Sequence, residues 1–172
     1  MPAESFIVPE LGTSFPNSFA KMLIDYIYLR WSYTTGVLAK PVAMQGQTQE
    51  LEFRTGMVSD FKSLQITTLQ GPTQVKEIIQ TGQKRYSMLT MVAVTLRVSL
   101  LQRDSPDPIL SDMEKEIRRL CGQYQVSNGM TGIKDLIYDG GDRQYMTTDS
   151  FDKSDWRSIE KVWMWYEYAD VS

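Results

Sequence analysis

The spacing of hydrophobic and polar positions changes several times along the chain. Between residues 17 and 31 the apolar residues recur at steps of three and four, which predicts an amphipathic helix that Asn17 or Ser18 caps. Its apolar face consists of Phe19, Met22, Leu23, Tyr26, Ile27 and Trp31. A second helix is predicted from about Pro108 to Gly122. Its apolar stripe consists of Leu110, Met113, Ile117, Leu120, Cys121 and Tyr124.

Period-two alternation predicts strands in the first two thirds of the chain. Two short strands are expected at 51–55 and 64–69, the second one ended by Gly71 and Pro72. The longest alternation runs from Tyr86 to Gln102 and has apolar side chains at the even positions. Seventeen residues at about 3.3 Å each would span roughly 56 Å, against a body roughly 40 Å across. We therefore expect this strand to bend, to break or to project, and a projecting strand would expose an edge.

Two more strands are predicted near the end of the chain. The first covers 133–138 and is ended by the turn-forming run 139–142, after which 142–155 is expected to be a loop. The last covers 157–168 and has large apolar residues on both faces. Such a strand is either central in its sheet or covered on its second face by another element. The candidates for that cover are the N-terminal helix and a neighbouring subunit.

Helices that occur singly between groups of strands are typical of the α+β class. We therefore predict a mainly antiparallel β-sheet with helices packed on one face. The chain has 172 residues and a mass of 19.8 kDa, which suits a single domain. Within the domain 1–172 we expect an N-terminal arm at about 1–16 and an α+β core at 17–170.

Composition excludes several kinds of chemistry. The chain contains no histidine and a single cysteine, Cys121, so His-based triads, His-metal clusters and intramolecular disulfides are all excluded. The net charge of −3 argues against a protein that grips nucleic acid over its whole surface. No signal-peptide pattern and no long apolar run is present, which favours synthesis in the cytoplasm and no membrane partner.

The remaining candidates for chemistry are weak. No glycine-rich phosphate loop occurs, and the aspartates between 135 and 155 lack the spacing of a calcium loop. Glu114 and Glu116 are two residues apart on a helix and so do not face each other as an acid–base pair. Cys121 lies on the apolar stripe and is expected to be an inert core thiol. We predict no catalytic residue, metal or cofactor, and the open alternative is an enzyme or nucleic-acid-processing factor whose carboxylates meet only in the fold.

The order of the segments carries a resemblance to a known family. The long strand "YSMLTMVAVTLRVSLLQRD" is followed by the helix "ILSDMEKEIRRLC", and then come the strands "GIKDLIYDGG" and "WRSIEKVWMWYEYAD". This order, after an early amphipathic helix and short strands, resembles the tail terminator (tail completion) proteins of long-tailed viruses of bacteria and archaea. The resemblance covers about residues 17–170. It lies in the pattern of elements and not in a signature motif, so it assigns no site residue.

The resemblance implies a structural virion protein without catalytic activity. Such a protein forms a ring, commonly a homohexamer, that caps the finished tail tube and joins the tail to the head–neck complex. Its partners would be further copies of the chain, the tail tube protein and a neck or connector protein, with nucleic acid at most passing through the ring lumen. Its location would be the tail–neck junction of the virion. The alternative within the same kind of virus is a neck or head-completion connector protein.

The residues themselves suggest where copies would meet. The candidates are the long strand, the turn that follows it and the tryptophan-bearing face of the last strand. Tryptophan and arginine are enriched among residues that dominate interfaces. The candidate oligomer interface therefore consists of Arg97, Arg103, Trp163 and Trp165.

Overall fold

The computed structural model describes residues 4–6, 18–33, 38, 51–55, 64–81, 83–101, 107–146 and 153–170. Six strands and two α-helices occur in these ranges, with a short 3-10 turn at Val126–Asn128. In chain order they are β1 (Glu4–Phe6), α1 (Phe19–Arg30), β2 (Leu51–Thr55), β3 (Leu64–Thr81), β4 (Gln83–Leu101), α2 (Asp107–Gly122), β5 (Asp135–Met146) and β6 (Lys153–Asp170).

The strands form one sheet in the order β1-β6-β4-β3-β2, and β5 also pairs with β6. Every pairing is antiparallel except that of β2 with β3. The predicted α+β class with a mainly antiparallel sheet is therefore confirmed. β6 lies between β4 on one edge and β5 and β1 on the other, so the two apolar faces of the last strand belong to a central strand.

The core lies between the helices and one face of the sheet. The even positions of β4 from Val92 to Val98 are fully buried, as the alternation predicts. Met113 and Ile117 of α2 belong to the same buried cluster, and so do Leu23 and Ile27 of α1. The two apolar patterns, of period two and period 3.6, thus meet in one layer. This arrangement confirms that the stripe of α2 faces β4.

Side chains form hydrogen bonds with the backbone at both ends of α1. The backbone N–H of Lys21 donates to the hydroxyl of Ser18 at 3.2 Å, which confirms Ser18 as the N-cap. Just after the C-terminal end, the backbone N–H of Ser32 donates to the carboxylate of Glu116 at 2.6 Å. Arg119 donates to the C=O of Arg30 at 3.0 Å. Arg119 therefore caps the last turn of α1, and Glu116 binds the backbone just after it, so that both side chains fix the two helices to each other.

The long strand β4 runs from Gln83 to Leu101 without a break. Its register pairs with β3 cover 83–98, and those with β6 cover 85–101. Of the three alternatives that its length suggested, a break does not occur, because its neighbours continue beside it. The expectation that it would expose an edge is wrong, since hydrogen-bonded strands occupy both of its edges.

β3 continues past the point where its sequence predicts an end. Gly71 and Pro72 do not end the strand, which runs on to Thr81. The register with β4 shifts between Gln70 and Thr73, so the proline lies in a bulge. A bulge tolerates proline because the missing N–H is not needed for a ladder bond there. β3 and β4 therefore form one long hairpin.

β5 also passes through a sequence that predicts a stop. The strand extends from Asp135 to Met146, and β6 begins at Lys153. The prediction of a loop over 142–155 is therefore wrong at both of its ends. Gly140 has a φ of 96°, and the register with β6 shifts between Tyr138 and Gly141. The two glycines thus form a bulge inside the strand, where a positive φ favours glycine.

We expect Gly141→Ala to lower the free energy of unfolding by about 1–3 kcal/mol because the new methyl group would overpack the core. A Cβ at this position would lie 2.6 Å from Cδ of Glu160, whose side chain is fully buried. Gly122→Ala is the matched control, since a Cβ there meets no atom within 4 Å and alanine favours helix. Urea unfolding measures both, and equal stabilities of the two variants would contradict the prediction.

Candidate assembly surface

The β3–β4 hairpin extends beyond the helix layer. The ring of Phe19, the first residue of α1, stacks on that of Tyr166 with centroids 4.8 Å apart. Tyr166 pairs in register with Met88, and Met88 pairs with Val75. From this row α1 runs away from the end of the hairpin. The ring of Trp31, just after the C-terminal end of α1, contacts Phe53 of β2. The part of β4 from Met88 to Gln83 therefore continues for about 17 Å past the start of α1.

We call residues 75–81 and 83–88 the hairpin arm. On the face that carries the helices, Val75 is 54% exposed and Ile78 is 55% exposed. Tyr86 lies beside Ile78 in the same row, and its ring contacts that of Tyr168 at 5.9 Å. Beyond Val75 the edge of β3 that faces away from β4 has no partner strand among the described residues. The arm thus combines exposed apolar side chains with a backbone edge that none of the described strands pairs.

The opposite, outer face of the sheet carries the two predicted interface tryptophans. In the described part of the chain, both helices pack on the other face, so the N-terminal helix does not cover these tryptophans. Trp163 lies between Met91 of β4 and Ile137 of β5 in one apolar row. Ile137 is 36% exposed, and Leu69 of β3, on the same face, is 49% exposed. This outer face is therefore apolar and partly open.

Polar partners hold both indole rings in place. The Nε1–H of Trp163 donates to Asp139 at 3.0 Å, and that of Trp165 donates to Ser87 at 2.5 Å. The ammonium of Lys76 lies 3.9 Å from the centroid of the Trp165 ring, a cation–π distance. Lys76 lies at a bulge of β3, between the register pairs of Val75 and Glu77. The two tryptophans are thus fixed with their indole N–H groups already paired within the chain.

Of the two predicted arginines, Arg97 does not lie beside the tryptophans. Arg97 lies on the outer face, six residues along the sheet from the Trp163 row, or about 20 Å away. Its guanidinium forms two bonds with Asp155, Nε to Oδ1 at 3.2 Å and Nη2 to Oδ2 at 2.7 Å. Arg97 therefore links β4 to β6. Arg103 lies outside the described residues.

The structure also brings together a group of polar side chains that sequence reasoning missed. Glu114 of α2 and Glu160 of β6 are both buried between that helix and the β5–β6 pair. The Ser158 hydroxyl lies 2.9 Å from Oε2 of Glu114 and 3.4 Å from Oε1 of Glu160. Arg143 of β5 pairs with Glu114, and the Tyr138 hydroxyl donates to Glu160. We call these five residues the carboxylate cluster.

The pKa values of the two carboxyl groups in the cluster are shifted in opposite directions. Burial alone would raise the pKa of Glu114, but hydrogen bonds from Arg143 and Ser158 outweigh it and hold this pKa below its ordinary value. Burial raises the pKa of Glu160, and the negative charge of Glu114 raises it further. The bond from Tyr138 lowers the pKa of Glu160 only in part. The cluster thus favours a single ionised carboxylate, on Glu114.

Cys121 lies among the same core side chains. It is buried on the apolar stripe of α2, as the sequence predicts. Burial raises the pKa of its thiol to about 12, so the reactive thiolate is scarce near neutral pH. In the ranges that the structure describes, no three Asp, Glu or Cys side chains come close enough to hold a metal ion. Neither described helix is long and apolar enough to cross a membrane.

The geometry so far defines a class of fold: an α+β domain with helices on one face of its sheet and a hairpin that extends past them. Comparison with protein-family models and with curated protein sequences found no match for this chain. The functional assignment therefore depends on the sequence pattern and on the surfaces described above.

Proposed function

We propose that this protein is a structural virion protein that works as a ring, caps the tail tube of a long-tailed virus and joins the tail to the head–neck complex. The order of segments, which resembles that of tail terminator proteins, supports the viral part of this proposal. The hairpin arm carries the assembly part, because its exposed Val75 and Ile78 lie on a segment that reaches beyond the helices. A closed ring uses one patch on each copy against a different patch on the next.

The carboxylate cluster is the observation that would favour an enzyme instead, since paired buried carboxyl groups serve acid–base catalysis elsewhere. Its geometry argues against that role. Arg143 and Ser158 occupy the carboxylate of Glu114, and Glu160 has no exposed surface. A catalytic acid or base must come within hydrogen-bond reach of a substrate. We therefore assign the cluster to the stability of the fold.

The ring proposal predicts that Val75→Asp weakens assembly by more than tenfold while the copy stays folded. A valine buried in a contact contributes about 1.5–3 kcal/mol, and an added charge would also have to be desolvated. The matched control is Val126→Asp, because Val126 is 66% exposed and lies in the 3-10 turn, away from the hairpin arm. Light scattering gives the mass of each purified protein alone and with its virion's tail tube protein.

Three outcomes separate the proposals. A mass above 19.8 kDa that Val75→Asp reduces and Val126→Asp does not supports assembly through the hairpin arm. The role of the arm is contradicted if both variants reduce the mass of the assembly equally, or if neither variant reduces it. A wild-type protein that stays monomeric both alone and with tail tubes contradicts the ring itself. Circular dichroism of each variant checks that the fold is retained.

A further inference from the structure

The hydrogens of the carboxylate cluster can be counted against its acceptors. The hydroxyl of Ser158 has one hydrogen, and its oxygen lies near both carboxyl groups. The shorter contact, 2.9 Å to Glu114, takes that hydrogen. The longer contact, 3.4 Å to Oε1 of Glu160, then joins two oxygens with no hydrogen between them unless Glu160 is protonated. A proton on Glu160 completes a chain in which Glu160 donates to Ser158 and Ser158 donates to Glu114.

The backbone of β5 makes room for this arrangement. The Glu160 side chain fills the space beside Gly141, where any Cβ would collide with it. The bulge at Gly140 and Gly141 thus places the carboxyl group between β5 and α2 without contact with water. An ionised carboxylate without solvent is costly unless cations neutralise it. Two guanidinium groups act on Glu160. That of Arg143 is already committed to Glu114, and that of Arg118 is exposed and lies 5.8 Å from the centroid of the Tyr138 ring.

We propose that Glu160 keeps a proton in the folded protein at a pH where exposed glutamates are ionised, and that this proton makes the contact between α2 and the β5–β6 pair sensitive to pH. When Glu160 loses the proton, a second negative charge appears next to Glu114. The two carboxylates then repel each other across Ser158, and the contact weakens.

The charged and titratable groups around Glu160 come from all the elements that pack on it. α2 contributes Glu114, Arg118 and Cys121, and β5 contributes Tyr138 and Arg143. On β4 the register partner is Val94, which does not titrate. Burial comes first among the causes that raise the pKa of Glu160, and the hydrogen bond from Tyr138 and the positive charge of Arg118 oppose it only in part.

The sign of the pH dependence follows from a raised pKa. Folding takes up a proton at Glu160, so the stabilisation is complete below the ordinary glutamate pKa and is lost as pH rises through the folded value. In that window the folding equilibrium constant falls by up to about tenfold per pH unit relative to a variant without this carboxyl. Glu160→Gln retains an N–H donor toward Ser158 and cannot ionise. We therefore expect its advantage over wild type to grow as pH rises.

Urea unfolding from mild acid to neutral pH tests this expectation. Asp142→Asn is the matched control, because it removes an exposed carboxylate from the same strand, one residue from Gly141. A pH-dependent advantage of Glu160→Gln that Asp142→Asn does not show supports the proposal. If the ratio of the folding equilibrium constants of Glu160→Gln and wild type stays constant with pH, the proposal is overturned.

Infrared spectroscopy keeps the proposal testable if Glu160→Gln fails to fold. The carbonyl band of a protonated carboxyl group should persist in the wild type above the pH where exposed glutamates ionise. Tyr138→Phe removes the donor to Oε2 of Glu160, so it should shift the disappearance of that band to higher pH. Two results would show that Glu160 does not hold this proton. The band could disappear in the ordinary glutamate range, or the pH at which it disappears could be the same in Tyr138→Phe as in the wild type.

Discussion

Replacing Ile117 with alanine should lower the free energy of unfolding by about 2–5 kcal/mol. Ile117 is only 1% exposed and lies in the buried cluster with Val94 and Leu96 of β4. The substitution removes buried methyl and methylene groups and leaves a cavity between α2 and the sheet. Neighbouring side chains refill such a cavity only in part, because strand and helix backbones on both sides hold their positions.

Leu29→Ala is the control for this prediction. Leu29 also lies on a helix, but 71% of it is exposed, so its truncation should change the free energy of unfolding by less than about 0.5 kcal/mol. Chemical denaturation at one pH measures both variants. If Ile117→Ala cost no more than Leu29→Ala, the stripe of α2 could not face the sheet as described.

The sequence predicts those parts of the fold in which apolar residues recur at a regular spacing. Val92, Val94, Leu96 and Val98 alternate with polar or small residues, and such alternation is compatible with only one burial pattern in a one-sided sheet. The stripe from Met113 to Leu120 fixes the buried side of α2 in the same way. These positions follow from local spacing alone, which is why their burial needed no knowledge of the rest of the chain.

Strand ends were predicted less well because glycine and proline have more than one use. Gly71–Pro72 and Gly140–Gly141 both indicate turns by their composition. In the structure both pairs lie in bulges, where a neighbouring strand continues the pairing on either side of the irregular residue. Whether such a neighbour exists depends on contacts distant in sequence, such as that of β5 with β6. A single sequence contains no local signal for them.

The surfaces were predicted only in part for a related reason. The pattern of β6 shows two apolar faces but does not say which one the helices cover. The structure places Trp163 and Trp165 on the face opposite both described helices, and it separates them from Arg97. The exposed Val75 and Ile78 were not singled out, since β3 was expected to end before them. Exposure of an apolar residue depends on where the helix layer stops.

The carboxylate cluster had a weak signal in the sequence. Ser158 and Glu160 have the same parity as the apolar positions 162, 164 and 166, so they place polar groups on the buried face of β6. Polar residues at such positions need partners inside the protein. The sequence does not say which partners, because they come from other elements: the pairing of β5 with β6 places Arg143 beside Ser158, and the packing of α2 brings Glu114 to both.

Replacing Arg143 with methionine should lower the free energy of unfolding by about 3 kcal/mol at neutral pH, because it leaves the buried carboxylate of Glu114 without its cation. Arg143 donates to both carboxylate oxygens of Glu114 and also pairs with Asp107 at 3.0 Å. Its side chain is 34% exposed, which places the expected loss at the lower end for a broken buried pair. Lys115→Met is the matched control, since it removes an exposed cation from α2.

The pH dependence of the Arg143→Met variant makes the cause identifiable. In the wild type the pKa of Glu114 is lowered, so its stabilisation is complete above the ordinary glutamate value and is lost as pH falls through the folded value. Without Arg143, burial dominates and raises the pKa of Glu114, so the variant gains stability as it takes up a proton in acid. The difference in unfolding free energy between wild type and variant should therefore be largest near neutral pH and should shrink toward acid, as urea titrations can measure. A difference that stays constant with pH would mean that Arg143 stabilises the fold through the packing of its stem and not through its charge.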